Sequence, residues 1–364
     1  MKFLVALAAS LSGAMIALVF GFAVLTQPVR SQEAPLPDPI LVGTGDIADD
    51  LSSDVDDNHT AQLIQTLWPQ AAVFATGDLA YENGTLDQFG AYYHDDDPLT
   101  LYAWGESLND QVKPVPGNHE YYPATPYAEG YFAYFANQGV PVGNGPTNNR
   151  GYYHYDLGPY WRAFALNTGN SRVVAYGRGS AQYTWLEARL KEAGAAGKNV
   201  VAYFHHPLYS SGIRHGWRKS TSTNKLSCSA SSTPSVQPLW NLLHKYGADL
   251  IIQGHDHNYE RFVPIKPDGT TTDANGPGAR PNPITSFVVG TGGKDLRPYG
   301  DEYPLDYNGD CGPLRPQSAK FLYDEDGVLK VTLHRSGFDY EYVQTTNGSD
   351  ATVADSGMGV PVNP

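Results

Sequence analysis

Short apolar segments alternate with segments of helical spacing through the first two thirds of the chain. The short segments predict strands or extended segments, at residues 40–42, 71–75, 113–116, 152–155, 161–166, 199–204 and 249–252, of which 71–75 is expected to be buried. Apolar residues three and four positions apart predict helices, at residues 59–68, 179–193 and 236–246. The last third predicts strands only, at residues 287–289, 320–323, 328–333 and 340–343. This order of elements favours an α/β fold of two packed sheets with helices outside them over a single doubly wound sheet.

Polar clusters directly follow five of the predicted strands. They begin at positions 46, 78, 118, 205 and 255. In α/β sheets, ligands bind at the carboxyl ends of the strands. We therefore expect the five clusters to face one crevice.

The N-terminus has the pattern of an export leader. After Met1-Lys2, residues 3–25 carry no charge, and the next charged residue is Arg30. The apolar core of a cleaved signal is usually about 7–15 residues long, whereas a membrane-spanning helix needs about 20. Residues 1–26 are therefore predicted to be a signal peptide or a membrane anchor, and both alternatives stay open. Either one places the rest of the protein outside the cytoplasm, secreted, periplasmic or tethered.

The remaining chain is predicted to be a linker followed by one domain. Residues 27–39 are Pro-rich and polar, as linkers are, and residues 40–364 are long enough for one large domain. Its two cysteines, Cys228 and Cys311, are expected to form a disulfide because exported pairs usually do; two unpaired thiols are the alternative. The bond would restrict the unfolded chain by about 4 kcal/mol in the loop-entropy description.

Charge limits the partners of this protein. Asp and Glu number 38 against 24 Lys and Arg, for a net charge of -14. Such a surface repels nucleic acids, whose binding depends on Lys and Arg. A small anionic substrate stays possible if cations in the site reverse the local field.

The chemistry is carried by five short motifs taken together. Alone, Gly-Asp after a strand is usually a turn, and a single His or Asn is usually an ordinary polar residue. In chain order the motifs are Gly45-Asp46, Gly77-Asp78-x-x-Tyr81, Gly117-Asn118-His119-Glu120, His205-His206-Pro207 and Gly254-His255-Asp256-His257. This set resembles the calcineurin-like metallophosphoesterase superfamily, and within it the purple acid phosphatase-like branch. The resemblance covers residues 43–261 and continues more weakly through residues 288–293.

The resemblance implies a four-layer α/β/β/α sandwich of two mixed sheets flanked by helices, with two metal ions at the strand ends. By the family's pattern, the ligands are Asp46, Tyr81 and His257 for one metal, Asn118, His205 and His255 for the other, and Asp78 as the bridge between them. The pattern is chemically sensible, because a carboxylate can neutralise two cations while His and Asn act as neutral ligands.

Tyr81 distinguishes the branch. Most of the superfamily has Asp-x-His in the first motif, but here Asp46 is followed by Ile47-Ala48, where the branch more often has Gly at the last position. Tyr81 is the expected compensation, and its phenolate would suit Fe(III), with Zn, Mn or Fe(II) as the second metal. The alternative is that Tyr81 is one more packed tyrosine among 25.

Several residues near the ligands have implied roles. His119 resembles the branch's histidine that contacts phosphate and helps to protonate the leaving alcohol; orienting a ligand is the alternative. His215 lies near the place where purple acid phosphatases carry a substrate-contacting histidine. His206 is expected beside the ligands rather than among them. Glu120 either orients His119 or is a solvated loop carboxylate.

The implied reaction is hydrolysis of small phosphate monoesters, acid phosphatase-like, by a hydroxide bound to the metal pair. A phosphodiesterase or nucleotidase on the same site stays open, because the ligand motifs say nothing about the pocket walls. An exported, non-catalytic binding module is a further alternative. Loss of ligands would mark such a module, whereas every expected position is filled here. The sequence leaves the oligomeric state open.

Overall fold

A computed structural model describes residues 37–49, 56–94, 102–143, 150–212, 218–219, 226–227, 236–271, 282–297 and 317–359. The chain divides into two compact units, Met1–Pro37 and Asp38–Pro364. The predicted leader lies outside the described residues, as does most of the predicted linker. Among the helices in the described ranges, none is long and apolar enough to cross a membrane.

The described part of the chain contains helices and strands that alternate at first, and then mostly strands. The helices are α1 (Asp56–Leu67), α2 (Leu86–Gln88), α3 (Trp104–Leu108), α4 (Glu129–Asn137), α5 (Ala181–Ala195) and α6 (Gln237–Lys245), with a π-helical segment at Phe89–His94 and a 3-10 turn at His119–Tyr121. The strands are β1 (Ile40–Thr44), β2 (Ala72–Ala75), β3 (Val112–Pro114), β4 (Tyr153–Leu157), β5 (Trp161–Ala165), β6 (Asn199–Phe204), β7 (Arg218–Lys219), β8 (Leu226–Ser227), β9 (Leu250–Gln253), β10 (Tyr259–Ile265), β11 (Ile284–Val289), β12 (Ser318–Leu322), β13 (Gly327–His334), β14 (Gly337–Gln344) and β15 (Thr352–Gly359).

The long strands form two mixed sheets. The first sheet has the order β15-β14-β13-β1-β2-β3, and the second has the order β12-β10-β11-β9-β6-β5-β4, while β7 and β8 form a separate ribbon. In the first sheet, β1, β2 and β3 are parallel. In the second sheet, β5, β6, β9 and β11 are parallel. The remaining pairs are antiparallel.

Three apolar clusters hold four layers together. Successive residues of a strand point to opposite faces of its sheet. Thus Val42 packs in the cluster beneath α1, α3 and α4, whereas Leu41 packs in the cluster between the two sheets. In the second sheet, Tyr203 faces the same central cluster, and Phe204 packs under α5 and α6. The predicted α/β/β/α sandwich is confirmed.

Besides α2, the π-helical segment, the 3-10 turn, β7 and β8, four elements were not predicted from the sequence. Helix α4 is too rich in aromatic residues for a clear stripe, and α3 has only five residues. Strand β10 begins two residues after His257, directly behind the last motif, so its start was not recognised as a separate strand. Strand β15 is a half-exposed edge strand with small and polar residues, and it lacks a strand pattern of hydrophobicity.

The turns that follow the parallel strands are joined to one another by backbone hydrogen bonds. Asp46 donates its N–H to the carbonyl of Gly77 at 3.0 Å, which links the turns after β1 and β2. Gly45 donates to Val289 O at 3.0 Å, and Gly254 donates to His205 O at 3.0 Å. Because these bonds connect both sheets, the motifs meet at one end of the sandwich.

Candidate metal centre

Three of the predicted ligands lie in strained backbone positions. Asp46, Asp78 and His255 have φ values of 58°, 52° and 75°. Residues with a Cβ rarely adopt this left-handed conformation, and it concentrates at functional sites. Gly77 has a φ of 98°, and a Cβ there would lie 2.5 Å from the backbone nitrogen of Gly117. A glycine is therefore required where the turns after β2 and β3 approach each other.

Asp46, Tyr81 and His257, which were predicted to hold one metal, lie close together in one half of the site. The hydroxyl of Tyr81 lies 3.0 Å from Asp46 Oδ1 and 3.2 Å from His257 Nε2. His257 Nε2 lies 3.5 Å from Asp46 Oδ1. All three side chains are buried. One small cation could therefore contact all three groups.

Asn118, His205 and His255 form the other half. His205 Nε2 lies 3.1 Å from Asn118 Oδ1 and 2.9 Å from His255 Nδ1. These residues follow β3, β6 and β9, so the group draws on both sheets.

Asp78 connects the two halves. Its Oδ2 lies 3.4 Å from Tyr81 Oη and 3.1 Å from His205 Nε2. Its other oxygen, Oδ1, accepts the backbone N–H of His119 at 2.8 Å. This hydrogen bond fixes the carboxylate with one oxygen turned toward both halves.

Neighbouring groups orient two of the ligand histidines. His205 has its Nδ1 3.0 Å from Thr76 O, and His257 has its Nδ1 2.9 Å from Asp295 O. A carbonyl can only accept a hydrogen bond, so Nδ1 of each ring carries the proton. Nε2 of each ring then faces the site, as in metal-ligating histidines generally.

The charges of the site favour cations. Burial, with a further contribution from Asp78, raises the pKa of Asp46 to about 7. Burial also opposes ionisation of Asp78, but His205 and His119 hold its pKa below the ordinary value. The pKa of Tyr81 is raised well above 10 by burial and then by the two carboxylates. Without a cation, Tyr81 therefore stays protonated.

The two central histidines differ in protonation. Burial, assisted by the positive charge of Arg297, lowers the pKa of His257 to about 3, so its ring is neutral. For His205, burial is outweighed by Asp78, and the pKa rises to about 9. A metal would have to displace the Nε2 proton of His205, as is usual for coordination by histidine.

The donor set fits two metal ions. Two buried carboxylates and a phenol oxygen lie close together, and buried charges are normally paired or bound to metal. Groups of Asp46, Asp78 and His205, and of His205, His206 and His255, have ligand atoms within 4.8 Å of one another. Mixed oxygen and imidazole ligands suit Zn, Mn and Fe.

His119 lies at the edge of this centre. Its ring packs between the rings of Tyr81 and Tyr122, with centroids at 4.4 Å and 4.1 Å. Its Nδ1 lies 2.7 Å from the carbonyl oxygen of Glu82, to which it donates. The other nitrogen, Nε2, lies 3.9 Å from Asp78 Oδ2. His119 thus presents Nε2 to the site.

Glu120 has neither of the two roles considered from the sequence. It is fully buried, and its carboxylate accepts the backbone N–H groups of Asp78, Leu79 and Gly117 at 3.0, 2.7 and 2.6 Å. Burial and the charge of Asp78 raise its pKa to about 7. Glu120 fastens the turn that carries Asp78 to the turn that carries Asn118.

His206 lies beside the ligands. Its Nδ1 donates to Thr168 O at 2.8 Å, and its ring centroid lies 4.4 Å from that of His255. Two other predictions stay untested, because His215 and the cysteine pair Cys228 and Cys311 lie outside the described residues.

The pocket walls include residues that the sequence did not indicate. A pocket of about 470 Å³ opens over the centre. Beside predicted ligands and His119, it is lined by Glu82, Tyr122, Lys294, Asp295 and Arg297. The last three follow the glycine-rich segment 290–293. The weak resemblance of that segment to the family was the sequence feature that could have pointed to these wall residues.

The fold and the arrangement of polar residues in the site agree with one protein family. The chain matches the family described as calcineurin-like phosphoesterase over residues 39–259, and it belongs to that family. Its relatives include purple acid phosphatases, which supports the purple acid phosphatase-like branch predicted from the sequence.

Two curated relatives illustrate the similarity. One is "Probable inactive purple acid phosphatase 1" of Arabidopsis thaliana, 26% identical over 301 residues, 80% of this chain and 44% of the relative. The other is acid phosphatase type 7 of Homo sapiens, 31% identical over 202 residues, 53% of this chain and 41% of the relative. The matched part of this chain thus spans less than half of either relative.

A solved structure shares the fold. It is a purple acid phosphatase from seeds of yellow lupin (Lupinus luteus), which aligns with a TM-score of 0.62 and 22% sequence identity over 88% of this chain and 53% of that chain. At this identity the likeness concerns the fold alone.

Proposed function

We propose that this protein hydrolyses small phosphate monoesters with the help of two metal ions. The ions would be held by the two ligand groups described above and bridged by Asp78. One observation carries the proposal: a single oxygen, Asp78 Oδ2, lies 3.4 Å from a phenol oxygen of one group and 3.1 Å from an imidazole nitrogen of the other. Such a position suits a carboxylate shared by two cations.

When bound, the two metals would supply positive charge for the phosphoryl group and activate water near neutral pH. The protein's own groups would hold the substrate and move a proton. Because Nδ1 of His119 is bonded to Glu82 O, Nε2 is the atom that would donate a proton to the leaving alcohol. His215 is proposed as a second substrate contact on sequence grounds alone.

The choice of metals follows from the ligands. The group of Asp46, Tyr81 and His257 contains a phenol that a strongly charged cation would convert to phenolate, and we propose Fe(III) there. The group of Asn118, His205 and His255 has neutral side chains, and we propose Zn, Mn or Fe(II). Elemental analysis of the purified protein would test both choices, and a visible absorption band lost in Tyr81→Phe would identify Fe(III) bound to Tyr81.

Asp78→Asn tests the activity. The variant keeps the shape of the side chain but loses the shared charge, so it should lose bound metal and most hydrolysis of an aryl phosphate monoester. Asp87→Asn, an exposed position in α2, is the matched control. Metal content and activity should be measured on the same samples. Full activity and metal content in Asp78→Asn would refute the proposal.

The substrate class needs a second comparison. The wild type should be assayed on paired aryl mono- and diesters across pH. Preference for the diester would support a phosphodiesterase with the same metals instead of the proposed phosphomonoesterase. Metal binding without hydrolysis of either would favour a non-catalytic module, an outcome to consider because four of its relatives are named probable inactive purple acid phosphatases.

We also propose, from the leader sequence, that the domain acts outside the cytoplasm, with residues 3–25 as a possible tether. Cell fractionation with N-terminal sequencing would decide between a cleaved signal and an anchor. Recovery of the full-length chain in the cytoplasm would refute export.

A further inference from the structure

The pocket over the centre is larger than a single phosphoryl group requires. Its volume of about 470 Å³ lies in the range of sites that enclose whole small molecules. Predicted ligands form part of its lining, so the remaining wall residues are available to contact a group attached to the phosphate. Their charges therefore bear on substrate choice.

Two cationic side chains line this pocket, and they differ in their partners. Lys294 pairs with the carboxylate of Asp49, and it lies 3.7 Å from Glu82 Oε1 and 3.9 Å from Asp295 Oδ2. Its charge is therefore already offset by acidic groups. Among the described residues, Arg297 has no carboxylate within salt-bridge distance.

The position of Arg297 is tied to the metal centre. Its backbone N–H donates to His257 O at 2.8 Å. Arg297 thus lines the same pocket as the predicted ligands and is hydrogen-bonded to one of them. Arginine presents planar, paired N–H donors that match carboxylate and phosphate oxygens.

We propose that Arg297 binds a second anionic group of the substrate, a phosphoryl or carboxylate group besides the phosphate that is cleaved. The site would thereby favour phosphate esters that carry such a group over simple esters. This inference rests on the proposed function for its choice of substrate, but the contact itself can be measured by binding alone.

The test uses three non-hydrolysable ligands on the purified full-length protein with its metals. Phenylphosphonate has one anionic group, meta-carboxyphenylphosphonate adds a carboxylate, and meta-phenylenebisphosphonate adds a phosphonate. Binding is measured by calorimetry. Arg297→Gln should weaken the binding of meta-carboxyphenylphosphonate, meta-phenylenebisphosphonate or both about tenfold, which corresponds to about 1.4 kcal/mol. It should weaken the binding of phenylphosphonate less than about twofold. The ligand that responds identifies the second group.

Two variants serve as controls. Arg178→Gln makes the same change at an exposed arginine that does not line the pocket, and it should leave all three affinities unchanged. Arg297→Lys keeps the charge without the paired donors, so its loss should be intermediate. Metal content must be equal in all samples.

Equal weakening of all three ligands by Arg297→Gln, or of none, would overturn the inference. So would a wild type that binds the two-anion ligands no more tightly than phenylphosphonate. Hydrolysis of the corresponding phosphate esters distinguishes failure of the proposed function from failure of the Arg297 contact. Turnover of phenyl phosphate without an Arg297-dependent preference defeats this inference alone. An Arg297-dependent preference in binding without any turnover defeats the proposed function alone.

Discussion

Replacement of Glu120 by glutamine should loosen the metal centre without touching a predicted ligand. The buried carboxylate accepts three backbone N–H groups, from Asp78, Leu79 and Gly117. A glutamine has one acceptor oxygen and brings an NH₂ group. In Glu120→Gln, at least one backbone N–H must therefore face another donor in a site closed to water.

The magnitude follows from two opposing effects. Each hydrogen bond to a charged acceptor contributes about 1.5–3 kcal/mol, and an unsatisfied buried donor costs about 1–3 kcal/mol. Burial of the negative charge of Glu120 is itself unfavourable, as the rise of its pKa to about 7 shows. Neutral glutamine avoids part of this desolvation cost, which reduces the loss of stability. We therefore expect a loss of about 2–3 kcal/mol in the free energy of unfolding.

The assay is thermal unfolding of the metal-free protein, followed by metal titration. An unfolding entropy of about 2.1 cal/mol/K per residue corresponds to about 0.7 kcal/mol per degree for the unit Asp38–Pro364. Tm should therefore fall by about 3–4 °C, and metal affinity by about tenfold or more because the turns are released.

The control is Glu129→Gln, whose exposed carboxylate accepts one backbone N–H from Tyr127 at 3.1 Å. Water can replace that bond, so Tm should change by less than about 1 °C. An equally small change in Glu120→Gln, with metal affinity unaltered, would refute the role of Glu120 as a fastener.

Two further predictions concern regions away from the site. Asp355 of β15 accepts side-chain hydrogen bonds from Tyr259 at 2.8 Å and Arg261 at 2.7 Å, both on β10 of the other sheet. Asp355→Asn should therefore lower the free energy of unfolding by about 2–3 kcal/mol; unchanged thermal unfolding would contradict this. The pKa of His334 is raised by its hydrogen bond to Asp38 and by a second aspartate, so its contribution is full below its unfolded pKa and disappears as pH rises through the higher folded value. His334→Gln should therefore lower Tm at acidic pH and hardly change it at alkaline pH. An equal change of Tm at both pH values would be evidence against the pairing of His334 with the two aspartates.

Much of the fold followed from local pattern. Each strand that precedes a predicted ligand motif was predicted, because runs such as 71–75 and 200–204 are apolar and largely buried. Helices α1, α5 and α6 were predicted from apolar spacing. Strand β15 and the aromatic helix α4 were not, since tertiary contacts rather than periodicity stabilise them.

The candidate site was predicted to a similar extent. The seven predicted ligands lie together in two groups joined by Asp78, although their binding of metal remains a prediction. Glu120 was misjudged because its partners are backbone N–H groups from turns distant in sequence, and no residue pattern records such bonds. Arg297 was missed because a lone arginine after a turn carries no signal of what faces it.

The sequence by itself determined which residues can bind metal and which strands carry them, because both depend on residue type and short-range order. Only the tertiary structure decided how close Asp78 lies to both ligand groups, which nitrogen of His205 and of His257 faces inward, and which cation of the pocket has no carboxylate partner among the described residues. Those properties depend on distances of 3–4 Å between side chains far apart along the chain, such as the 3.1 Å between Asp78 and His205. Two sheets must pack before such distances exist.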